Sequence, residues 1–299
     1  MQSLSSAVLS SRVAVLFLFC LACSSPATTT SQDMASDLAM ACQGDGACTP
    51  ANACHVGRVD CTTGTPICVD TGELAKKPGC GPLAYWPFDG DGRDVAAGRD
   101  LKLEGNPGFA QGLFGQALDL KGDGNTYAVR RNGMSDINDV EFDIGNADFT
   151  VQAWVAYHVS DIEQVHVEKF SGGGGPGWRF TKLNDQRVHV CIQKDGCGQL
   201  SSTAKTFPLE TWNHYVFRRS TINYEIFLNG VSIASAALPP ETLPSTEPIY
   251  IGRANPMDGR IFPLNGRIDE VAIWRRALTD LEITYLYNDG VGRKASQVN

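Results

Sequence analysis

The sequence predicts an all-β domain, an antiparallel two-sheet sandwich, over residues 83–290. Three observations carry this. Short β-type runs follow one another with turn signals and no helical stretch between them. Phe149, Val151, Ala153 and Val155 alternate with Thr150, Gln152, Trp154 and Ala156, so one side of that run faces a core. Asn229-Gly230 separates two apolar runs, and both residues accept the positive φ that a tight hairpin requires.

Taken in order, the runs are 83–88, 117–120, 149–155, 164–170, 178–183, 187–192, 214–219, 224–228, 231–234, 249–251 and 267–274. One helix is expected after them. Thr279 is its cap, Glu282 holds the capping-box position, and Leu281, Tyr285 and Leu286 share a face before Gly290 stops it. Residues 291–299 are a tail.

Residues 42–80 hold Cys42, Cys48, Cys54, Cys61, Cys68 and Cys80 in a C-x5-C-x5-C-x6-C-x6-C-x11-C array with few large apolar side chains. Such a segment has no core of its own and is expected to be stapled by disulfides, whose connectivity the spacing leaves open. Cys191 and Cys197 bracket Ile192-Gln193-Lys194-Asp195-Gly196 and are expected to form a loop-closing bond of their own. Zinc is disfavoured because the one Cys-x-x-Cys pair, Cys20/Cys23, lies in the leader.

That leader, residues 1–22, ends in the apolar run VAVLFLFCLA at 13–22, too short to span a bilayer but suited to export. With Leu21-Ala22-Cys23-Ser24 it resembles a bacterial lipoprotein signal, which implies lipidation of Cys23, although Cys20 stands where that family has an aliphatic residue. Residues 23–41, rich in Ser, Thr and Ala, then form a flexible tether. The expected location is the bacterial cell envelope, at the outer membrane or exposed on the surface, with membrane attachment only through the lipid. A formal net charge of −8 argues against nucleic acid as a partner.

Four stretches in order are similar to the laminin-G-like branch of the concanavalin A-like superfamily. They are Ala84-Tyr85-Trp86-Pro87-Phe88-Asp89-Gly90, Phe114-Gly115-Gln116-Ala117-Leu118-Asp119-Leu120, Asp148–Val155, and Trp212–Val216 with Leu228-Asn229-Gly230 and Gly266–Leu278. The resemblance implies a jelly-roll sandwich that displays loops for binding. It also implies calcium near the first and last of these segments, with Asp89, Asp94 and Asp269 as ligands. The competing expectation is solvated turn acids plus a rim carboxylate paired to Arg267 or Arg275. Among the tryptophans, Trp86, Trp154, Trp212 and Trp274 are expected in the core. Trp178, which follows a glycine run, is the candidate exposed stacking platform for a ligand, and His214 is expected to be a satisfied strand residue.

Catalysis is tested by chemistry, because the same superfamily contains β-glucanases with a Glu-x-Asp-x-x-Glu strand. Glu141-Phe142-Asp143 begins that pattern, but Asn146 ends it, and an amide cannot serve as the general acid. Gly172-x-Gly174-x-x-Gly177 opens no helix and so binds no dinucleotide. The expectation is therefore a non-catalytic surface protein recognising a glycan or an extracellular protein. The alternatives are an atypical glycoside hydrolase or polysaccharide lyase, and a purely structural envelope protein.

Overall fold

A computed structural model of the chain describes residues 47–298, apart from 63–65, 144–146, 173–174, 193–199, 239–243 and 257–258. The leader, the tether, Cys23, Cys42, Cys197 and Asn146 lie outside the described residues. Contacts divide the chain into two units, residues 1–46 with 59–67 and residues 47–58 with 68–299. In the first, Asp60 closes a turn by accepting from the Thr62 N–H at 2.9 Å.

In the cysteine-rich segment, β1 (Ala47–Cys48), β2 (His55–Asp60) and β3 (Ile67–Leu74) form a small sheet in that order. β3 is exposed along most of its length, so crosslinks supply what a core would: Cys48–Cys68 and Cys54–Cys80 are disulfides. Cys61 and Cys191 are also disulfide-bonded.

The remaining strands build the sandwich. One sheet contains β4 (Ala84–Trp86), β6 (Gly108–Gln111), β7 (Gln116–Lys121), β11 (Phe149–Tyr157), β16 (Asn213–Ser220), β17 (Asn223–Leu228), β18 (Val231–Ala237) and β20 (Asn265–Trp274). Its order is β18-β17-β16-β11-β20-β7-β6, with β4 also on β20. The other contains β5 (Lys102–Glu104), β8 (Tyr127–Val129), β12 (Gln164–Phe170), β13 (Gly177–Lys182), β14 (Val188–Ile192), β15 (Leu200–Ser201) and β19 (Tyr250–Ile251), in the order β15-β14-β13-β12-β19-β8-β5. A short hairpin, β9 (Arg131–Asn132) with β10 (Ser135–Asp136), stands apart.

Register explains which side chains meet. Leu200, Val190, Phe180, Val167, Ile251 and Ala128 lie in one row across the seven-stranded sheet and face the core, where Phe149, Val151, Ala153 and Val155 of β11 meet them. In β20 the alternation breaks. Glu270 has φ +53°, and the pairing with β11 slips between Gln152 and Trp154. Strict alternation along the sequence groups Ile268 with Ala272 and Trp274; the bulge instead turns Ile268, Val271 and Ile273 to the core and leaves Ala272 and Trp274 on the outer face.

That outer face is closed by the chain's end. Helix α1 (Asp280–Tyr287) has the expected capping box between Thr279 and Glu282, and Ile283 and Leu286 pack with Tyr85, Trp274, Ala295 and Val298. It ends at Asn288, in the left-handed conformation, rather than at Gly290.

Candidate functional site

The predicted calcium ligands are occupied by backbone. Asp94 is buried and accepts N–H bonds from Tyr85 and Ala96 on one oxygen and from Ala97 and Arg99 on the other, at 2.8–3.2 Å. Asp269, also buried, accepts from Leu113 at 2.8 Å, Phe114 at 3.4 Å and Glu270 at 2.8 Å. Asp89, half-exposed, accepts from Gln116 N–H at 2.9 Å. Loop 112–116 thus wraps both strands' acids, and glycine is needed there: a Cβ on Gly112 would stand 2.7 Å from the Asp269 carboxylate. Among the described residues no group of three His, Cys, Asp or Glu side chains is placed to hold a metal ion. Asp94 and Asp269 turn both oxygens to amides and Asp89 turns one, so the three carboxylates are arranged as amide acceptors rather than as a common ligand set. Nor does Arg267 or Arg275 pair with Asp269: the first bonds Glu210 and the second the carbonyls of Glu141 and Asp143.

Glu270 completes this sealed group. It accepts from the Tyr85 hydroxyl at 2.5 Å, and the Ala295 backbone N–H is a further donor to it. Burial raises the pKa of both Asp269 and Glu270, and their adjacency raises that of Asp269 further.

Trp178 is a correction. It is fully buried in β13, edge-on to Phe149 at 5.4 Å, with its ring N–H donating to the Phe142 carbonyl at 2.9 Å. The glycine before it serves packing rather than loop formation, because a Cβ on Gly177 would lie 2.2 Å from the Lys169 carbonyl. Residues 140–142 form a 3-10 turn in which Val140 and Glu141 are exposed and Phe142 is buried, and Asp143 receives the buried Lys169 ammonium at 2.7 Å. His214 bonds Gln152 at 3.1 Å and stacks on Trp154, with burial lowering its pKa to about 3.

Polar groups left open to solvent gather elsewhere on the eight-stranded sheet. Arg267 and Asp119 are register partners on its outer face, and His158 directly follows β11. The His158 ring sits between two carboxylates, Nε2 at 2.9 Å from Asp119 and Nδ1 at 2.6 Å from Glu210. Arg267 donates to Glu210 at 2.8 Å, and its guanidinium lies 5.4 Å from the centre of the half-buried Trp212 ring. Partial burial opposes charge on His158, but the two carboxylates outweigh it and its pKa is raised. Glu210 is held below the ordinary range by that same contact, and it takes φ +58°. Trp212, expected in the core, is therefore the tryptophan that reaches the surface.

Two further surfaces are notable. On the outer face of the seven-stranded sheet, Arg253 lies 4.4 Å over Tyr127, and Arg179 lies 5.0 Å from Phe170 and 5.3 Å from Phe262 while paired with the buried Glu168 at 2.6 Å. Near α1, a cleft of 670 Å³ is lined by residues of 71–76, 281–285 and 296–297.

A family profile described as the concanavalin A-like lectin/glucanases superfamily matches residues 130–284. The chain belongs to this superfamily. Among solved structures, this superfamily member is similar to the binding domain of Paraclostridial Mosquitocidal Protein 1, with 16% identity, a TM-score of 0.52, and coverage of 70% of this chain and 52% of that one. It is also similar to the binding domain of botulinum neurotoxin serotype G, with 15% identity, a TM-score of 0.51, and coverage of 70% and 51%. A third match is the binding domain of botulinum neurotoxin DC in complex with SialylT, with 13% identity, a TM-score of 0.50, and the same 70% and 51%. The chain thus spans about half the length of these structures, and at such identities the likeness is one of fold. No curated protein matches it.

In this superfamily member, the motif resemblance has a physical basis. The Phe114-Gly115-Gln116 stretch supplies amides, and the Asp89 and Asp269 stretches supply the carboxylates that accept them. The His158 cluster had no local signal, since its members are 39 and 52 residues apart in the chain.

Proposed function

We propose that the protein is exported, held at the cell envelope by a lipid on Cys23, and binds a glycan or an extracellular protein there without transforming it. The leader and the cysteine-rich array support export, and disulfide bonding at Cys48, Cys54, Cys61, Cys68, Cys80 and Cys191 suits an oxidising compartment. The matched structures are binding domains, which supports recognition as the task.

One observation carries the non-catalytic part. Glycoside hydrolysis needs a carboxyl group that stays protonated near neutrality and also reaches the substrate. Asp269 and Glu270, carboxyls whose pKa is raised among the described residues, are fully buried, and the open Glu210 is pulled the other way by His158 and Arg267. Protonation and access are separated in this fold. The experiment is a polysaccharide panel read twice, for retention on the immobilised protein and for new reducing or unsaturated ends. Retention without new ends is expected; products from any polymer would replace this reading with the hydrolase or lyase one. Loss of membrane association in Cys23→Ala tests the anchor.

A further inference from the structure

The cleft beside α1 has three walls, each fixed independently of any ligand. β3 is tied through Cys68 to Cys48, and Asp70 accepts from His55 at 2.8 Å. The helix is capped by Thr279, and Glu282 at its base takes two bonds from Arg276 at 2.6 and 2.9 Å. The C-terminal turn is seated by Ala295 and Val298, both buried. Binding in such a cleft requires little ordering of the protein.

Its lining is divided by chemistry. Leu281 and Tyr285 are one helical turn apart and present an apolar floor, 66% and 37% exposed, away from the buried Ile283 and Leu286. One face of the Tyr285 ring is covered by the Arg293 guanidinium at 3.9 Å, and Arg293 is itself fixed by donating to the Tyr285 carbonyl at 2.6 Å. The ring is therefore held in place while it lines the cleft and stays partly exposed. Around this floor stand Glu73 and Lys76 on the β3 side and Ser296 and Gln297 on the opposite side. In contrast, the groups of the His158 cluster already bond one another, and Arg267 lies against Trp212.

A rigid aromatic floor inside a polar rim matches a sugar, whose C–H face is apolar and whose edge carries hydroxyls. The volume of 670 Å³ is within the range of roughly 300–1,000 Å³ usual for small-ligand sites. The rim offers one acid and one base on a chain of net charge −8, which disfavours strongly anionic glycans. We propose that this cleft binds a neutral oligosaccharide, with one sugar ring stacked on Tyr285. The proposal rests on the binding reading above and deepens it. The rim residues Glu73, Lys76, Ser296 and Gln297 lie outside the superfamily match at 130–284, whereas Leu281 of the floor lies within it.

The test is calorimetric titration of the full chain with cellohexaose, maltohexaose and chitohexaose, and with a heparin-derived sulfated hexasaccharide. Binding of at least one neutral oligosaccharide is expected. Tyr285→Ala should weaken it about tenfold or more, and Tyr285→Phe should stay within about threefold. Leu281→Glu, at a site too exposed to matter for folding, should weaken it as Tyr285→Ala does, and Trp212→Ala should leave it unchanged. Thermal melts verify that each variant folds. Neutral binding that survives both Tyr285→Ala and Leu281→Glu overturns the cleft while leaving the binding reading standing. Binding of the sulfated hexasaccharide alone overturns the ligand class, and a chain silent toward all four overturns the proposal.

Discussion

Two pairs of acidic side chains, one within the eight-stranded sheet and one at its outer face and the turn before β16, live in opposite worlds. Asp269 and Glu270 are adjacent in β20, fully buried, and bonded to amides of loop 112–116 and to the Tyr85 hydroxyl. Asp119 and Glu210 are distant in sequence, open to solvent, and joined through the His158 ring and Arg267. The first pair has donors that are backbone amides or the buried Tyr85 hydroxyl, so it can be sealed. The second has donors on side chains that water can replace. Proximity of carboxylates alone therefore says little about function; the source of their donors decides whether they hold a fold together or face a ligand.

The largest expected effect comes from removing the buried acceptor. In Asp269→Ala the N–H groups of Leu113, Phe114 and Glu270 lose their acceptor beneath the surface. At about 1–3 kcal/mol for each unsatisfied group, a loss of at least about 3 kcal/mol is expected. That corresponds to a fall of roughly 6 °C or more in melting temperature for a domain of this size. Asp269→Asn, which keeps one acceptor oxygen, should lose distinctly less. Equal melting of Asp269→Ala and the parent would show that the amides do not depend on this carboxylate.

The next effect is in pH. Folded-state pKa values are raised to about 8 for Asp269 and about 7 for Glu270, so the folded chain holds protons that the unfolded chain has released. Their contribution to stability is present at low pH and disappears as pH rises through the folded values. The buried His166 and His214 work in the other direction: their folded pKa values are lowered to about 3, so their contribution is lost as pH falls below about 6.5. The two trends offset each other in mild acid, and between about pH 6.5 and 8 the carboxyls act in the same direction as His158, whose pKa is also raised. Denaturant unfolding should show stability falling across that interval. Glu270→Gln should flatten the slope, and an unchanged slope would remove Glu270 from the account.

Much of the sandwich was legible because pleated strands write their period into the sequence. The run 164–170 coincides with β12, and the others differ from their strands only at the ends or by extension. Short strands such as β5, β8 and β15, with two or three residues each, carry too little alternation to read. The site was less legible, for two reasons. A bulge at Glu270 reverses the facing of everything on one side of it, so β20 could not be assigned by parity. Glycines before Trp178 suggested a loop, whereas Gly177 is required by the close passage of β12. The half-buried Trp212 and the hidden Trp178 thus depart from their expected places, because burial is fixed by partners distant in the chain.

The smallest effect belongs to the open pair, and it sharpens the contrast because two opposing terms can be separated. Glu210→Ala removes two solvent-exposed ion contacts, to His158 and Arg267, a loss of about 0.2–1 kcal/mol each, and leaves a side chain at φ +58°. Glu210→Gly removes the same contacts but relieves the left-handed backbone, a gain of roughly 1 kcal/mol. The glycine variant should therefore lie close to the parent in denaturant unfolding, and the alanine variant should fall below the glycine variant by roughly 1 kcal/mol. In both, the His158 pKa followed by NMR should drop, because one of the two carboxylates that raise it is gone. If alanine and glycine are equally destabilising, the strain at Glu210 is not real. If His158 titrates unchanged, its ring is not held by Glu210, and the open pair is no pair at all.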